Sequence, residues 1–190
     1  MAISSLLDRP AIREQALRFS VEQYHLLGEA GLVPKGVELL DGVIVEKMSK
    51  SPLHVFTTEE LAAQLRVVVQ EGWLVRQEQP ITCQDSEPEP DVAVAWGTRA
   101  DYLHTHPTTA KLVIEVAVSS GEIDAEKAAI YAEAQVDEYW IVFPEDKRIE
   151  FYAAPLGRQY AQRQSFVCPE AVVSQALPDF RLDLGTFFPG

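Results

Sequence analysis

Residues 111–118, KLVIEVAV, constrain this chain most. Their apolar side chains run almost consecutively instead of alternating, the pattern of a strand covered on both faces. Such a strand needs other strands beside it and helices over it. A helix is predicted over about 122–135, with Ser119 and Glu122 placed as a capping box. A longer one is predicted over about 52–71, where Phe56, Leu61, Leu65 and Val68 recur at helical spacing and Gly72 follows. A shorter one covers 20–30, with Ser20 as N-cap, Val21, Tyr24 and Leu27 on one face and Gly31 as the stop. VELLDGVIVEKM, residues 37–48, reads as a hairpin, because Asp41-Gly42 suits a turn whose two central residues take positive φ. WLVRQEQPITC, DVAVAW, EYWIVF, RIEFYAA and residues 159–167 supply further strands. QDSEPEP reads as a polar, proline-rich loop, and the tail LPDFRLDLGTFFPG as apolar with no clear period. The expected architecture is α/β (α+β), a mixed sheet flanked by helices. One domain spans 1–190: helix and hairpin in about 1–50, the core in about 51–155, a last strand and tail in 156–190.

Composition narrows the class. A chain of 190 residues buries roughly 70% of its unfolded surface. With 47% hydrophobic and 24% charged residues it is not a disordered polymer. No apolar run approaches the roughly 20 residues of a membrane span. The first residues, MAISSLLDRPAIREQALRF, carry acids and lack a signal-peptide apolar core, so a soluble cytoplasmic protein with no membrane partner is expected. Cys83 and Cys168 are too few for a disulfide scaffold or a Cys-rich zinc site, and each reads as a small buried apolar residue. The net charge of −13 repels nucleic-acid phosphates at long range. Any nucleic-acid function must therefore use metal ions, a local basic patch or a partner chain. Arg66, Arg76, Lys111, Arg158 and Arg163 are candidates for a DNA groove, but scattered cations on an acidic protein read first as solvated surface. Trp73, Trp96 and Trp140 read as core or sheet-face aromatics, and His25, His104 and His106 lack metal-ligand spacing.

Three charges interrupt apolar patterns. Glu115 stands in the middle of LVIEVAV, and an unpaired buried carboxylate costs several kcal/mol or stays protonated. It is either a ligand or catalytic carboxylate, or part of a solvated strand face with Val113 and Ala117. Asp91 opens DVAVAW on the face that carries Ala93 and Ala95, small residues that leave room for an ion or substrate; its ordinary reading is the end of a loop. Lys127 shares one helix face with Ile123, Ile130, Tyr131 and Ala134. It either snorkels out, paired with Asp124 or Tyr131, or meets carboxylates. Taken together, two carboxylates from neighbouring strands would hold a hard divalent cation, and the lysine would serve the attacking water or a phosphate. That is metal-assisted phosphodiester hydrolysis.

At these residues the sequence resembles the Uma-type restriction endonuclease family, long catalogued as a domain of unknown function, within the PD-(D/E)xK nuclease superfamily. The similar stretches are VELLDGVIV, SPLH, PEPDVAV, LVIEV, DAEKAAIY and DEYWIV, spread over about 37–152. The resemblance implies a restriction-endonuclease-like core. It makes Asp91 and Glu115 the metal-binding carboxylates, joined by the backbone carbonyl of Val116. It gives Lys127 the place of a lysine that has migrated onto the following helix, the usual position being Ala117 here. Glu38 matches an acidic residue kept near the site, and His54 a histidine at the start of the next helix; their ordinary readings are an exposed hairpin charge and a helix-start residue. The chain departs from the family at Val118-Ser119-Ser120, where Ser-Pro-Ser is usual, and the interval to the lysine is slightly short. The implied activity is that of an endonuclease using Mg²⁺, or Mn²⁺, on DNA, with a homodimer expected because cutting both strands often uses two sites. Two alternatives stay open: a catalytically inactive interaction module on a nuclease fold, and a hydrolase of a small phosphate ester.

Overall fold

The computed structural model describes residues 10–188; residues 1–9, with which the MAISSLLDRPAIREQALRF segment begins, and the last two residues of the tail lie outside them. After a short α1 (Pro10–Gln15), α2 (Val21–Glu29) begins at the expected cap. The Gln23 N–H donates to Ser20 Oγ at 3.2 Å and the Ser20 N–H donates to Gln23 Oε1 at 3.0 Å, satisfying two otherwise unpaired donors. The hairpin follows as β1 (Val37–Leu40) and β2 (Val43–Glu46), in register Leu40 to Val43. Asp41 and Gly42 both take positive φ, 46° and 73°. Glycine is required at the second position for space as well, since a Cβ there would lie 2.6 Å from Arg18 Cβ.

α3 (Pro52–Val68) starts on Ser51, whose Oγ accepts the His54 N–H at 3.2 Å, with Pro52 at a position that needs no N–H. It stops short of the expected Glu71 because Val69 is already extended. Next come β3 (Trp73–Gln77), β4 (Val92–Trp96) and β5 (Leu112–Val116), then α4 (Gly121–Glu133), β6 (Glu138–Phe143), β7 (Arg148–Leu156) and β8 (Gln159–Val167). They form one six-stranded sheet in the order β3-β4-β5-β6-β7-β8. Only β5 and β6 run parallel, as a strand pair joined through a helix must; every other neighbour is antiparallel. The tail adds a small ribbon of β9 (Ala171–Val173) and β10 (Arg181–Asp183), followed by α5 (Leu184–Phe187).

β5 is buried along its whole length. One sheet face packs Val92, Val94, Ile114 and Trp140 against Leu61 and Leu65 of α3 and Phe180 and Phe187 of the tail. The other packs Ala93, Val113, Tyr139 and Ile141 against Tyr131 of α4. The fold is the mixed sheet between helices that the sequence implied.

Several local expectations are corrected. The residue preceding α4 is Ser120, not Ser119, and its hydroxyl donates to Asp124 instead of capping the backbone. WLVRQEQPITC forms a strand only to Gln77, because Glu78 turns to φ 51°. The proline-rich loop is not a solvated excursion: Ser86, Glu87, Pro88 and Pro90 are buried. The Ser86 hydroxyl accepts the Asp41 N–H at 2.8 Å, and Glu87 meets His25 and the Thr82 hydroxyl, each at 2.7 Å. Trp140 is core, whereas Trp96 is 64% exposed and stacks edge-on with Trp73. Both cysteines are half-buried; burial pushes the Cys83 thiol up to about 12, which leaves it unreactive.

Candidate functional site

Four elements bring the sequence-selected charges to one end of the sheet. Asp91 immediately precedes β4, Glu115 lies near the end of β5, Lys127 is in the middle of α4 and Glu38 is on β1. Together with His54 they line one cavity of about 90 Å³. None is solvated surface: Glu38, Asp91, Glu115 and Lys127 are 3%, 7%, 3% and 5% exposed. The solvated-face reading of Glu115, the hairpin-charge reading of Glu38 and the snorkelling reading of Lys127 are thereby excluded.

The backbone fixes the two carboxylates reciprocally. The Asp91 N–H donates to Glu115 Oε2 at 3.3 Å, and the Val116 N–H donates to Asp91 Oδ2 at 2.7 Å. The start of β4 is thus latched to the end of β5 through the functional groups themselves. His54 Nε2 also lies 3.1 Å from Asp91 Oδ2, while its buried Nδ1 has no partner among the described residues. Donation through Nε2 leaves Nδ1 of a neutral ring as a bare acceptor.

Lys127 does not reach solvent. Its Nζ lies 2.8 Å from Glu38 Oε1, 3.2 Å from Glu115 Oε1 and 3.7 Å from Asp124 Oδ1. The shortened interval after Glu115 therefore still brings the ammonium back over its strand. Glu38 is oriented through its second oxygen, which accepts the Glu89 N–H at 3.1 Å. Two participants were not selected from the sequence. In the sequence Asp124 reads only as an ordinary i−3 partner of Lys127. Tyr131 donates not to the lysine but to Glu115 Oε1, at 2.8 Å. The one signal for Tyr131 was its place on the Lys127 face, which reads equally well as core.

The electrostatics follow from burial. Loss of water pushes the Glu115 and Asp124 carboxyls up, Lys127 opposing it in both. Burial alone would lower the Lys127 ammonium, but Glu115, Glu38 and Asp124 outweigh it and hold the group above its ordinary range. Lys127 is therefore a fixed positive charge and not a proton acceptor. Three carboxyl groups surround that single ammonium and Asp91 lies beside Glu115, so the site favours a proton or a cation.

Among the described residues no three His, Cys, Asp or Glu side chains form a metal-holding group. What the chain presents is a pair of hard oxygen donors, Asp91 and Glu115, held together through the Asp91 and Val116 N–H groups. Asp91 Oδ1 accepts no hydrogen bond among the described residues, whereas Oδ2 is engaged. This donor set fits Mg²⁺, which is commonly held by one or two carboxylates and retains several waters. It does not fit zinc, which favours Cys and His ligands.

A mixed sheet between helices, with acidic residues at the adjoining ends of β4 and β5 and a lysine on the helix between β5 and β6, is the arrangement that the nuclease-superfamily resemblance implies. The chain belongs to the Uma2 family, whose model, described as "Putative restriction endonuclease", matches residues 21–185. Among solved structures it is similar to "a putative nuclease belonging to DUF820" from Anabaena variabilis ATCC 29413, with a TM-score of 0.72. That likeness is one of fold: identity is 18%, over 85% of this chain and 96% of that one. No curated protein matches the chain. Among the described residues no helix is long and apolar enough to cross a membrane.

Proposed function

We propose that this protein hydrolyses phosphodiester bonds in DNA with Mg²⁺, or Mn²⁺, held by Asp91, Glu115 and the Val116 carbonyl. The observation that carries the reading is the convergence of Asp91, Glu115, Lys127 and Glu38, from four elements, on one buried cavity. When bound, the cation supplies Lewis-acid polarisation of the scissile phosphate. The chain's own residues do the rest. Lys127 supplies a permanent positive charge beside the carboxylates, suited to neutralising charge that develops on the phosphate. Glu38 holds the ammonium together with Glu115, so the lysine is positioned before substrate arrives. Tyr131 and the Asp91 N–H fix both oxygens of Glu115, which limits reorganisation at the reacting centre. His54 orients Asp91 through Oδ2 and leaves Oδ1 to face a ligand.

The size of the cavity separates polymeric from small substrates. About 90 Å³ has room for an ion and a few waters, whereas pockets that engulf small ligands measure roughly 300–1,000 Å³. A phosphate lying across the mouth, as a DNA strand would, fits this cavity better than a small ligand engulfed by it. One observation favours the inactive-module reading: Lys127 is already engaged by three carboxylates. Incubating wild type and Asp91→Asn with supercoiled plasmid in Mg²⁺, Mn²⁺ or EDTA decides between them. Nicking in either metal, lost in EDTA and in the variant, is expected. Intact plasmid under all three conditions would contradict the DNA reading and leave the inactive module or a small phosphate-ester hydrolase.

A further inference from the structure

The geometry points to a second anion site, an arginine cavity on the free edge of β3 that anchors a phosphate of the DNA strand whose hydrolysis is proposed above. It deepens that reading and rests on it for the identity of the ligand. β3 is an outermost strand of the sheet, and a cavity of about 450 Å³ opens there. Arg66, Arg76 and Arg99 line it, with Gln77, Gln79 and Tyr102.

Arg18, Lys35, Lys147 and Arg181 are likewise without an ion pair among the described residues, but Arg66, Arg76 and Arg99 share one cavity, whereas other cations are tied to carboxylates. Arg158 is tied to Asp41 and Glu133, Arg148 and Arg163 to Glu150, and Lys111 to Asp137. Among the described residues no carboxylate lies within ion-pair distance of Arg66, Arg76 or Arg99. The nearby acids are occupied elsewhere: Glu78 pairs with Lys50, and Asp101 accepts the Thr98 N–H and hydroxyl. On a chain of net charge −13, three unneutralised guanidinium groups in one cavity form a local reversal of sign.

Arg76 is the built part of the site. It is 4% exposed, its guanidinium lies over the Tyr102 ring at 4.8 Å, and one amino group donates to the Pro80 carbonyl at 3.3 Å. Its Nε is buried without a partner. A buried charge left unpaired is costly, and a phosphate oxygen would satisfy it with a charge-assisted hydrogen bond. Arg66 and Arg99 are exposed; Arg66 donates to the Gln77 side-chain oxygen and lines the cavity from the face of β3 opposite Arg76.

The position suits a strand that also crosses the candidate centre. Gln77 pairs with Val92, the residue after Asp91, and the Glu78 N–H donates to the Asp91 carbonyl at 3.2 Å. The arginine edge therefore begins one strand away from Asp91, about 5 Å across the sheet. Guanidinium groups on both faces of an edge strand suit the phosphate backbone of a nucleic-acid strand that crosses it.

The test uses a fluorescein-labelled DNA duplex and full-length protein carrying Asp91→Asn, in Mg²⁺, read by fluorescence anisotropy over a salt series. Arg66→Gln with Arg99→Gln is compared with Arg148→Gln with Arg163→Gln, which removes the same net charge from guanidinium groups already paired with Glu150. The first pair is expected to weaken binding about tenfold or more and to flatten the log–log salt slope by about 2. The second pair is expected to change affinity by less than about twofold. Equal losses for both pairs, no loss for the first pair, or no DNA binding by the parent protein would each overturn the arginine site. Plasmid nicking by the wild type is scored separately. Nicking with arginine-independent binding removes this site and leaves hydrolysis standing; arginine-dependent binding without nicking does the reverse.

Discussion

Lys127, Glu38, Glu115 and Asp124 form a buried cluster in which the single cation is the keystone. Removing one partner of a buried ion pair typically costs about 3–5 kcal/mol, because the remaining charge is left unpaired and dry. Lys127→Ala is therefore expected to lower unfolding free energy by about that amount in urea titration; a loss under about 1 kcal/mol would mean the carboxylates find other partners. A second buried acid lies away from this centre. Glu138, fully buried, accepts hydrogen bonds from Trp140 Nε1 at 2.7 Å and from the Gln175 and Ala176 N–H groups at 2.7 and 2.9 Å. Burial pushes its carboxyl up, against the pull of those donors. A raised acid stabilises the fold below its unfolded value, near 4.5, and that contribution is lost as pH rises through the folded value. Compared with Glu138→Gln, wild type is thus expected to lose relative stability in melts as pH rises above about 4.5; parallel curves for the two proteins would refute it. At this scale the sequence was legible where charge broke an apolar pattern, as at Glu115 and Lys127. Asp124 and Tyr131 escaped because an i−3 acid and an apolar-face aromatic are explained by helix amphipathicity alone.

The elements place these residues through contacts that chain order does not reveal. β1 presents Glu38 to α4 only because the hairpin is pinned from outside: the Gly42 N–H donates to the Asp85 carbonyl at 2.7 Å and the Phe19 N–H to the Gly42 carbonyl at 2.9 Å. Gly42→Ala meets both a left-handed φ and the Arg18 Cβ. It is expected to cost about 1 kcal/mol or more in urea titration and to reduce nicking by shifting Glu38 away from Lys127; an unchanged midpoint would show that the hairpin does not depend on that turn. The hairpin, α2 and β5 were readable because their signals are local: an Asp-Gly turn, a capping box and an unbroken apolar run. The loop before Asp91 was not. Its polar composition suggests solvent, yet Ser86 and Glu87 are buried because their partners, Asp41 and His25, arrive from residues far earlier in the chain. The cap of α4 moved by one residue because Ser120 found Asp124.

Across the whole molecule, a mixed sheet carries two groups of opposite sign at neighbouring strands: an acid-rich centre at β4 and β5, and unpaired arginines on the edge of β3. Net charge alone argued against nucleic acid, and the sequence could not show which cations remain free. That depends on pairs as distant as Arg158 and Asp41. The Uma2 membership and the fold were legible from about 37–152; the arrangement of arginines was not, since Arg99 carries no local signal at all. The central claim is that Asp91 and Glu115 act as one hydrolytic unit. Its most direct test is the initial rate of plasmid nicking in Mg²⁺ for Asp91→Asn, Glu115→Gln and the double variant, both substitutions keeping side-chain shape. Each single variant is expected to lose about a thousandfold, and the double variant no more than the worse single, as residues of one unit do. Nicking by either single variant at the wild-type rate would contradict the account.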